Sequence, residues 1–155
     1  MSTGNNRIIK DISFSLLAEG KTIKIRADGY SMYPSIRPGA IISIEPLAAG
    51  TEPGPGEIIA WTREQGFVVH RLVAIEKEGE AKQYKTRGDS CLYEDPPVSR
   101  DRIAGRVIHV ETAYGKTIAS GDELIVHPSY LCNRSRVWLL LKIKKVFSIS
   151  GITAK

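Results

Sequence analysis

The sequence has few residues of the types that hold metal ions or build disulfide frameworks. It contains two cysteines, Cys91 and Cys132, and three histidines among 155 residues. Neither cysteine lies in a C-x-x-C or Cys/His spacing typical of a zinc site, and two cysteines are too few for a disulfide scaffold. We therefore expect no metal ion and no other cofactor.

Long hydrophobic runs and dense basic runs are also missing. No stretch approaches the about 20 apolar residues that a membrane-spanning helix needs, and residues 1–20 are polar and interrupted by charge, unlike a secretory signal. Lys and Arg number 22 against 17 Asp and Glu. No cluster of basic residues interleaved with aromatics occurs before the C-terminus. We expect a cytoplasmic protein, or one peripheral to a membrane, with no nucleic-acid partner.

The remaining composition is that of a globular domain, with 42% hydrophobic and 25% charged residues. Apolar residues at helical spacing over 7–19 predict a short amphipathic helix. Alternating, β-branched runs separated by Gly and Pro turns then predict seven strands. The expected fold is mainly β, with a curved or partly closed sheet. The predicted strands are residues 22–27, 40–45, 57–62, 66–76, 82–87, 102–112 and 122–127.

Residues 135–149 predict a C-terminal amphipathic helix. Leu140, Ile143 and Phe147 share one helical face, and Lys142 and Lys145 lie together on another. Such a basic helix can rest on an anionic membrane surface. It can equally pack on its own domain with its lysines in water. We divide the chain into a domain over residues 1–128 and a basic tail over residues 129–155.

One serine lies in a turn rich in Gly and Pro, GYSMYP at residues 29–34. Ser31 would act as a nucleophile only with a base within hydrogen-bond reach. His70, in the longest predicted strand, is the candidate base, because imidazole exchanges protons near neutral pH. The loop GDSCLYED offers Asp89 and Asp95 to orient the ring.

Each of these residues also has an ordinary structural explanation. Serine is common in turns, and a histidine on a strand is usually a hydrogen-bonded structural side chain. An aspartate after Gly or before Pro is typical of a turn. From the residues alone, catalytic and structural roles both stay open.

Five motifs follow one another over roughly residues 22–112. They are GYSMYPSIRPG (29–39), GPGEIIAW (54–61), VVHRLVAI (68–75), TRGDSCLYED (86–95) and RIAGRVIHV (102–110). The first resembles the nucleophile box G-x-S-M-x-P-x-(aliphatic)-x-x-G-D of the superfamily that joins type I signal peptidases to self-cleaving SOS repressors. The other four resemble that family's later motifs in the family's order. Five ordered motifs are far more specific than any one of them.

The identity of the base points to one branch of that superfamily. Bacterial signal peptidases and the repressors carry lysine before the arginine of the third motif, whereas archaeal and endoplasmic-reticulum signal peptidases carry histidine. His70 occupies that position, so the sequence resembles the Ser-His branch. The resemblance implies Ser31 as nucleophile, His70 as base and Asp95 as the third member, with Asp89 supporting the site.

The residues around the serine are candidates for binding substrate: Gly29, Tyr30, Met32 and Pro34. The resemblance implies an extended peptide with small side chains near the cut, paired along a strand edge. Ordinary packing beside the turn is the alternative for Tyr30 and Met32. Signal peptidases usually carry serine at the position of Gly29, so oxyanion stabilisation would depend on backbone N–H groups, including that of Ser31.

We therefore expect a serine endopeptidase of the signal-peptidase-like kind that cleaves precursor or leader peptides by a Ser-His(-Asp) mechanism. One alternative is an enzyme that cleaves itself or matures a single client. Another is a degenerate member kept as a peptide-binding module. The joint presence of Ser31, His70 and Asp95 favours catalysis, because a binding module has no chemical need for all three.

Overall fold

The computed structural model describes residues 12–63 and 66–149, and within them one antiparallel sheet dominates. The strands are β1 (Ile23–Arg26), β2 (Ile41–Glu45), β3 (Ile58–Arg63), β4 (Gly66–Glu78), β5 (Ala81–Arg87), β6 (Val98–Ser99), β7 (Ile103–Glu111) and β8 (Thr117–Ser120). Their order in the sheet is β1-β2-β7-β3-β4-β5-β6, with β8 paired to β7. Within the described residues the end strands β1 and β6 do not pair, so the sheet is open. This confirms the expected mainly β fold.

The first six predicted strands are all present, but the seventh, over residues 122–127, is wrong. Gly121–Leu124 instead form a short 3₁₀ helix. Its start is closed by a capping box, in which Ser120 and Glu123 each bind the other's backbone. The strand at this end of the chain is β8, which precedes the helix and pairs with β7. A two-residue strand, β6, was also not predicted.

The core has two parts, one on each face of the central strand β3. Ile58 and Ala60 belong to the first part, and Ile59 and Trp61 to the second. Neighbouring residues of a strand point to opposite faces of the sheet, so β3 is buried on both sides. Burying an aliphatic or aromatic side chain contributes about 1.5–3 kcal/mol, and β3 therefore fixes the position of its neighbours β4 and β7.

In the described part of the chain, two α-helices flank the sheet. Residues 12–18 are helical (α1), and Leu17 of this helix is buried in the first part of the core. The segment 7–11 of the predicted N-terminal helix lies outside the described residues. The C-terminal helix α2 (Tyr130–Ile149) begins five residues before the predicted start. In the part of the chain that the structure describes, no helix combines the length and apolarity required to cross a bilayer.

Candidate active site

Ser31 lies in the connection between β1 and β2, which we call the serine turn (residues 28–36). The turn is closed by hydrogen bonds from Tyr33 N to Tyr30 O at 3.0 Å and from Ile36 N to Met32 O at 2.9 Å. The side chains of Met32 and Ile36 are buried in the core. These two buried side chains attach the turn to the core, and Ser31 lies half-buried at the protein surface.

His70 on β4 makes a close contact with Asp95. His70 Nδ1 lies 2.6 Å from Asp95 Oδ2, and the same carboxylate oxygen accepts a hydrogen bond from Thr86 Oγ1 at 2.7 Å. The backbone N–H of Asp95 donates to Thr86 O at 2.8 Å, which fixes the loop that carries the carboxylate. In a neutral imidazole whose Nδ1–H donates to a carboxylate, Nε2 is unprotonated and can accept a proton.

The Asp95 carboxyl is held in its charged form. Its partial burial alone would raise the pKa of Asp95, but the hydrogen bonds from His70 and Thr86 outweigh burial and hold that pKa below its ordinary value. Asp95 is therefore ionised at neutral pH. A charged carboxylate at this position can stabilise a positive charge that forms on the imidazole.

Gly88 lies where the serine turn, His70 and the loop of residues 86–95 (the acid loop) meet. A Cβ added to Gly88 would lie 2.6 Å from Cys91 Sγ, 2.7 Å from Ser31 O and 3.1 Å from His70 Nε2. The Ser31 carbonyl oxygen and His70 Nε2 therefore lie close to the same point beside Gly88. His70 thus presents Nε2 toward the serine turn.

Ser31 belongs to the serine turn, which His70 Nε2 faces beside Gly88. Within residues 12–63 and 66–149, no hydrogen bond joins Ser31 Oγ to the His70 ring. Catalytic hydrogen bonds of this kind are often long in the absence of substrate and tighten only in the substrate complex. The missing bond is therefore compatible with a catalytic role for Ser31.

Ser90 ties the acid loop to the serine turn. Its backbone N–H donates to Ser31 O at 2.9 Å, and its Oγ donates to Tyr30 O at 2.7 Å. Both acceptors are backbone carbonyl groups, one of Ser31, the candidate nucleophile, and one of Tyr30, the residue before it. The position of Ser31 is therefore set by the acid loop as well as by β1 and β2.

Asp89 is fully buried and is turned away from His70. Its carboxylate accepts Arg71 Nε and Nη2, each at 2.8 Å, and Ser35 Oγ at 2.5 Å. Arg71 Nη1 also donates to the carbonyls of Gly56 and Leu124. The hydrogen-bonded pair of Arg71 and Asp89, together with Ser35, connects the serine turn, β4 and the acid loop. Of the two aspartates, Asp95 is the one that contacts the imidazole of His70.

A cleft of about 190 Å³ opens beside Ser31. Gly29 and Met32 line it, as the sequence suggested for a substrate site. Tyr30 does not line it and instead contacts Lys144 of α2, and Pro34 lines a different cavity of about 750 Å³. The other lining residues of the cleft are Ile25, Arg26, Ala27, Asp28, Ile36, Ile42, Phe67 and Val69.

Helix α2 packs against both loops of the site. Asn133 Nδ2 donates to Asp89 O at 3.0 Å, and the Arg87 guanidinium lies 3.7 Å from the centre of the Tyr130 ring. Further along the helix, Lys144 hydrogen-bonds the Tyr30 hydroxyl and lies 5.2 Å from the centre of its ring. The helix therefore runs past the acid loop at its start and past the serine turn near its end.

Several supporting residues were not predicted from the sequence. Thr86, Gly88 and Ser90 all belong to the motif TRGDSCLYED, in which the sequence alone indicates only the aspartates as candidate site residues. Arg71 directly follows the candidate base. Among the described residues, no three His, Cys, Asp or Glu side chains are grouped as they would be to hold a metal ion.

Comparison with known proteins gives one direct similarity. The chain is 31% identical over 86 residues to signal peptidase I W of Bacillus subtilis (strain 168). The match covers 54% of this chain and 45% of that relative, so the chain spans less than half of the relative's length. No family model matches the chain. The similarity supports a relationship to type I signal peptidases, in agreement with the mainly β fold.

Proposed function

We propose that this chain is a serine endopeptidase of the signal-peptidase-like kind, closest to its Ser-His branch, that cleaves precursor or leader peptides. The observation that carries the proposal is the 2.6 Å contact between His70 Nδ1 and Asp95, with His70 Nε2 against Gly88 beside Ser31. Such a set of nucleophile, base and orienting acid is recognised by geometry and roles rather than by chain order.

In the proposed mechanism, Ser31 Oγ attacks the scissile carbonyl carbon and gives its proton to His70 Nε2. The tetrahedral intermediate collapses, His70 returns the proton to the leaving amine, and an acyl-enzyme ester remains on Ser31. A water molecule, deprotonated by the same nitrogen, then hydrolyses the ester. Asp95 keeps the ring in the useful tautomer and stabilises the imidazolium that forms in each half of the reaction.

The backbone of the serine turn supplies a donor for the oxyanion. Among the described residues, no acceptor bonds the N–H of Ser31, so that group stays available to a substrate oxygen. Gly29 has no side chain that could assist. A single preorganised donor of this type contributes about 10²–10³ in rate.

The peptide substrate is proposed to lie extended between two free strand edges. Among the described residues, β1 pairs only with β2, and β4 pairs with β5 only from Arg71 onward, which leaves the segment Gly66–His70 open on that side. Residues from both edges, among them Ile25 and Val69, line the cleft beside Ser31. An extended peptide can add to such edges through main-chain hydrogen bonds. The small volume of the cleft favours small side chains next to the cut, as in an A-x-A pattern.

The proposal is tested by mapping cleaved bonds in a mixture of extended peptides by mass spectrometry. Ser31→Ala and His70→Ala should each lower the cleavage rate by at least about 10³-fold. The matched controls are Ser129→Ala and His127→Ala, which change exposed residues of the same types. Cleavage by Ser31→Ala at the wild-type rate would contradict the proposal, and peptide binding without any cleavage would favour a binding module.

A further inference from the structure

The outer face of α2 exposes large apolar side chains to solvent. Leu131, Trp138, Leu139, Ile143 and Phe147 expose between 43% and 73% of their surface, although they are large hydrophobic residues. They extend over most of the helix. Contiguous apolar patches on this scale are uncommon on a protein that functions alone and indicate an interaction surface.

All charged residues of α2 are basic. The helix carries Arg134, Arg136, Lys142, Lys144 and Lys145, and it contains no Asp or Glu. Lys142 Nζ lies 5.1 Å from the centre of the Trp138 ring, so a cation and an aromatic side chain lie side by side. Apolar and aromatic side chains flanked by cations match the boundary between acyl chains and anionic headgroups.

We propose that α2 binds the surface of an anionic lipid bilayer through this outer face and lies parallel to it. The charge decides between lipid and a second copy of the chain. Two α2 helices packed face to face would place basic residues against basic residues, whereas anionic headgroups neutralise them. The apolar side chains then reach the acyl boundary.

The inner face of α2 stays attached to the body in this arrangement. Asn133 and Val137 are buried, and Lys144 is engaged by Tyr30, the residue before Ser31. Since an α-helix with its side chains is about 10–12 Å across, lipid on the outer face would place the serine turn about one helix diameter from the bilayer. The site would then open close to the membrane surface.

The test measures cosedimentation of the full chain with vesicles. Wild type should bind phosphatidylcholine vesicles that contain one quarter phosphatidylserine and should bind pure phosphatidylcholine much more weakly. The double variant Leu139→Asp/Phe147→Asp should bind at least about tenfold more weakly. Lys142→Gln and Lys145→Gln should each weaken binding to the anionic vesicles about fivefold. The control is Tyr114→Asp, which changes an aromatic residue that is 98% exposed outside α2.

Two results would overturn this proposal. One is wild-type binding that is negligible, or that is the same with and without phosphatidylserine. The other is that sedimentation velocity finds a wild-type dimer that does not bind vesicles and that the double variant no longer forms. Catalysis is tested separately: the double variant should cleave a short peptide at the wild-type rate without lipid, and Ser31→Ala should bind vesicles like wild type.

Discussion

The imidazole of His70 is confined on two sides. Asp95 binds Nδ1, and Asp95 itself is held by Thr86, so the carboxylate cannot turn away without losing a second hydrogen bond. Gly88 lies against Nε2 and leaves no room for a side chain between the ring and the serine turn. The ring is thereby held in one orientation before substrate binds, which reduces the reorganisation needed during the reaction.

The orienting role of Asp95 predicts the behaviour of Asp95→Asn. An amide in this position can donate to Nδ1, which would place the proton of the neutral ring on Nε2 and block proton uptake from Ser31. Turnover should fall about 10⁴-fold with little change in KM. Steady-state cleavage of a peptide found in the library screen measures this, with the exposed Asp101→Asn as control. Turnover like that of wild type would remove Asp95 from the mechanism.

The crowding around Gly88 predicts that Gly88→Ala impairs catalysis. The added Cβ would overlap Cys91 Sγ at 2.6 Å and the Ser31 carbonyl oxygen at 2.7 Å, so the acid loop must move away from the serine turn. Displacement of catalytic groups by about 1 Å costs about 10²-fold in rate. Gly54→Ala is the matched control, because a Cβ there meets nothing within 4 Å. Wild-type kcat in Gly88→Ala would show that the loop contact does not matter.

At the scale of elements, the buried Arg71–Asp89 pair joins segments that are distant in sequence. Arg71 is on β4, Asp89 is on the acid loop, and Ser35 completes the pair from the serine turn. Asn133, near the start of α2, donates a hydrogen bond to the backbone of the same loop. The serine turn and the acid loop are therefore positioned by one connected set of hydrogen bonds rather than by two independent loops.

This buried pair predicts a non-additive effect on stability. Arg71→Met should lower the free energy of unfolding by about 3–5 kcal/mol, because it leaves a buried carboxylate without its counter-ion. The double variant Arg71→Met/Asp89→Leu should recover much of that loss, since it leaves no unpaired charge. Urea unfolding of both variants and wild type measures the effect. Additive losses would contradict the strong coupling that the structure indicates.

The elements also show what the sequence could predict. Alternating β-branched residues predicted six strands. The ordered motifs predicted a site formed by Ser31, His70 and Asp95, of which the structure shows the contact between His70 and Asp95. Residues 122–127 show a pattern of apolar residues similar to that of the six strands. They overlap a 3₁₀ helix in which only Leu124 is buried. Its capping residues, Ser120 and Glu123, were the readable signal for a turn. The Arg71–Asp89 pair depends on the register of β4 against β5, which no local pattern specifies.

For the whole molecule, the pKa of Asp95 predicts how stability changes in acid. The folded-state pKa lies below the ordinary value, so the interactions of Asp95 stabilise the fold fully above the unfolded pKa of about 3.9. That contribution is lost as the pH falls through the lower folded pKa. The stability difference between wild type and Asp95→Asn should shrink as the solution becomes more acid than the unfolded pKa of the carboxyl. Urea unfolding across this range measures it, and a constant difference at all pH values would contradict the prediction.

In the proposed mechanism, Ser31 Oγ is the atom that attacks the peptide. A peptide p-nitrophenyl ester, quenched with acid soon after mixing, tests it by locating the acyl group with tandem mass spectrometry. Cys91 is the informative competitor, because its thiol lies beside the same glycine, although burial and the nearby Asp95 raise the pKa of that thiol. We expect an acyl group on Ser31 in wild type and little in His70→Ala. An acyl group on Cys91, or equal labelling of Ser31→Ala, would contradict it.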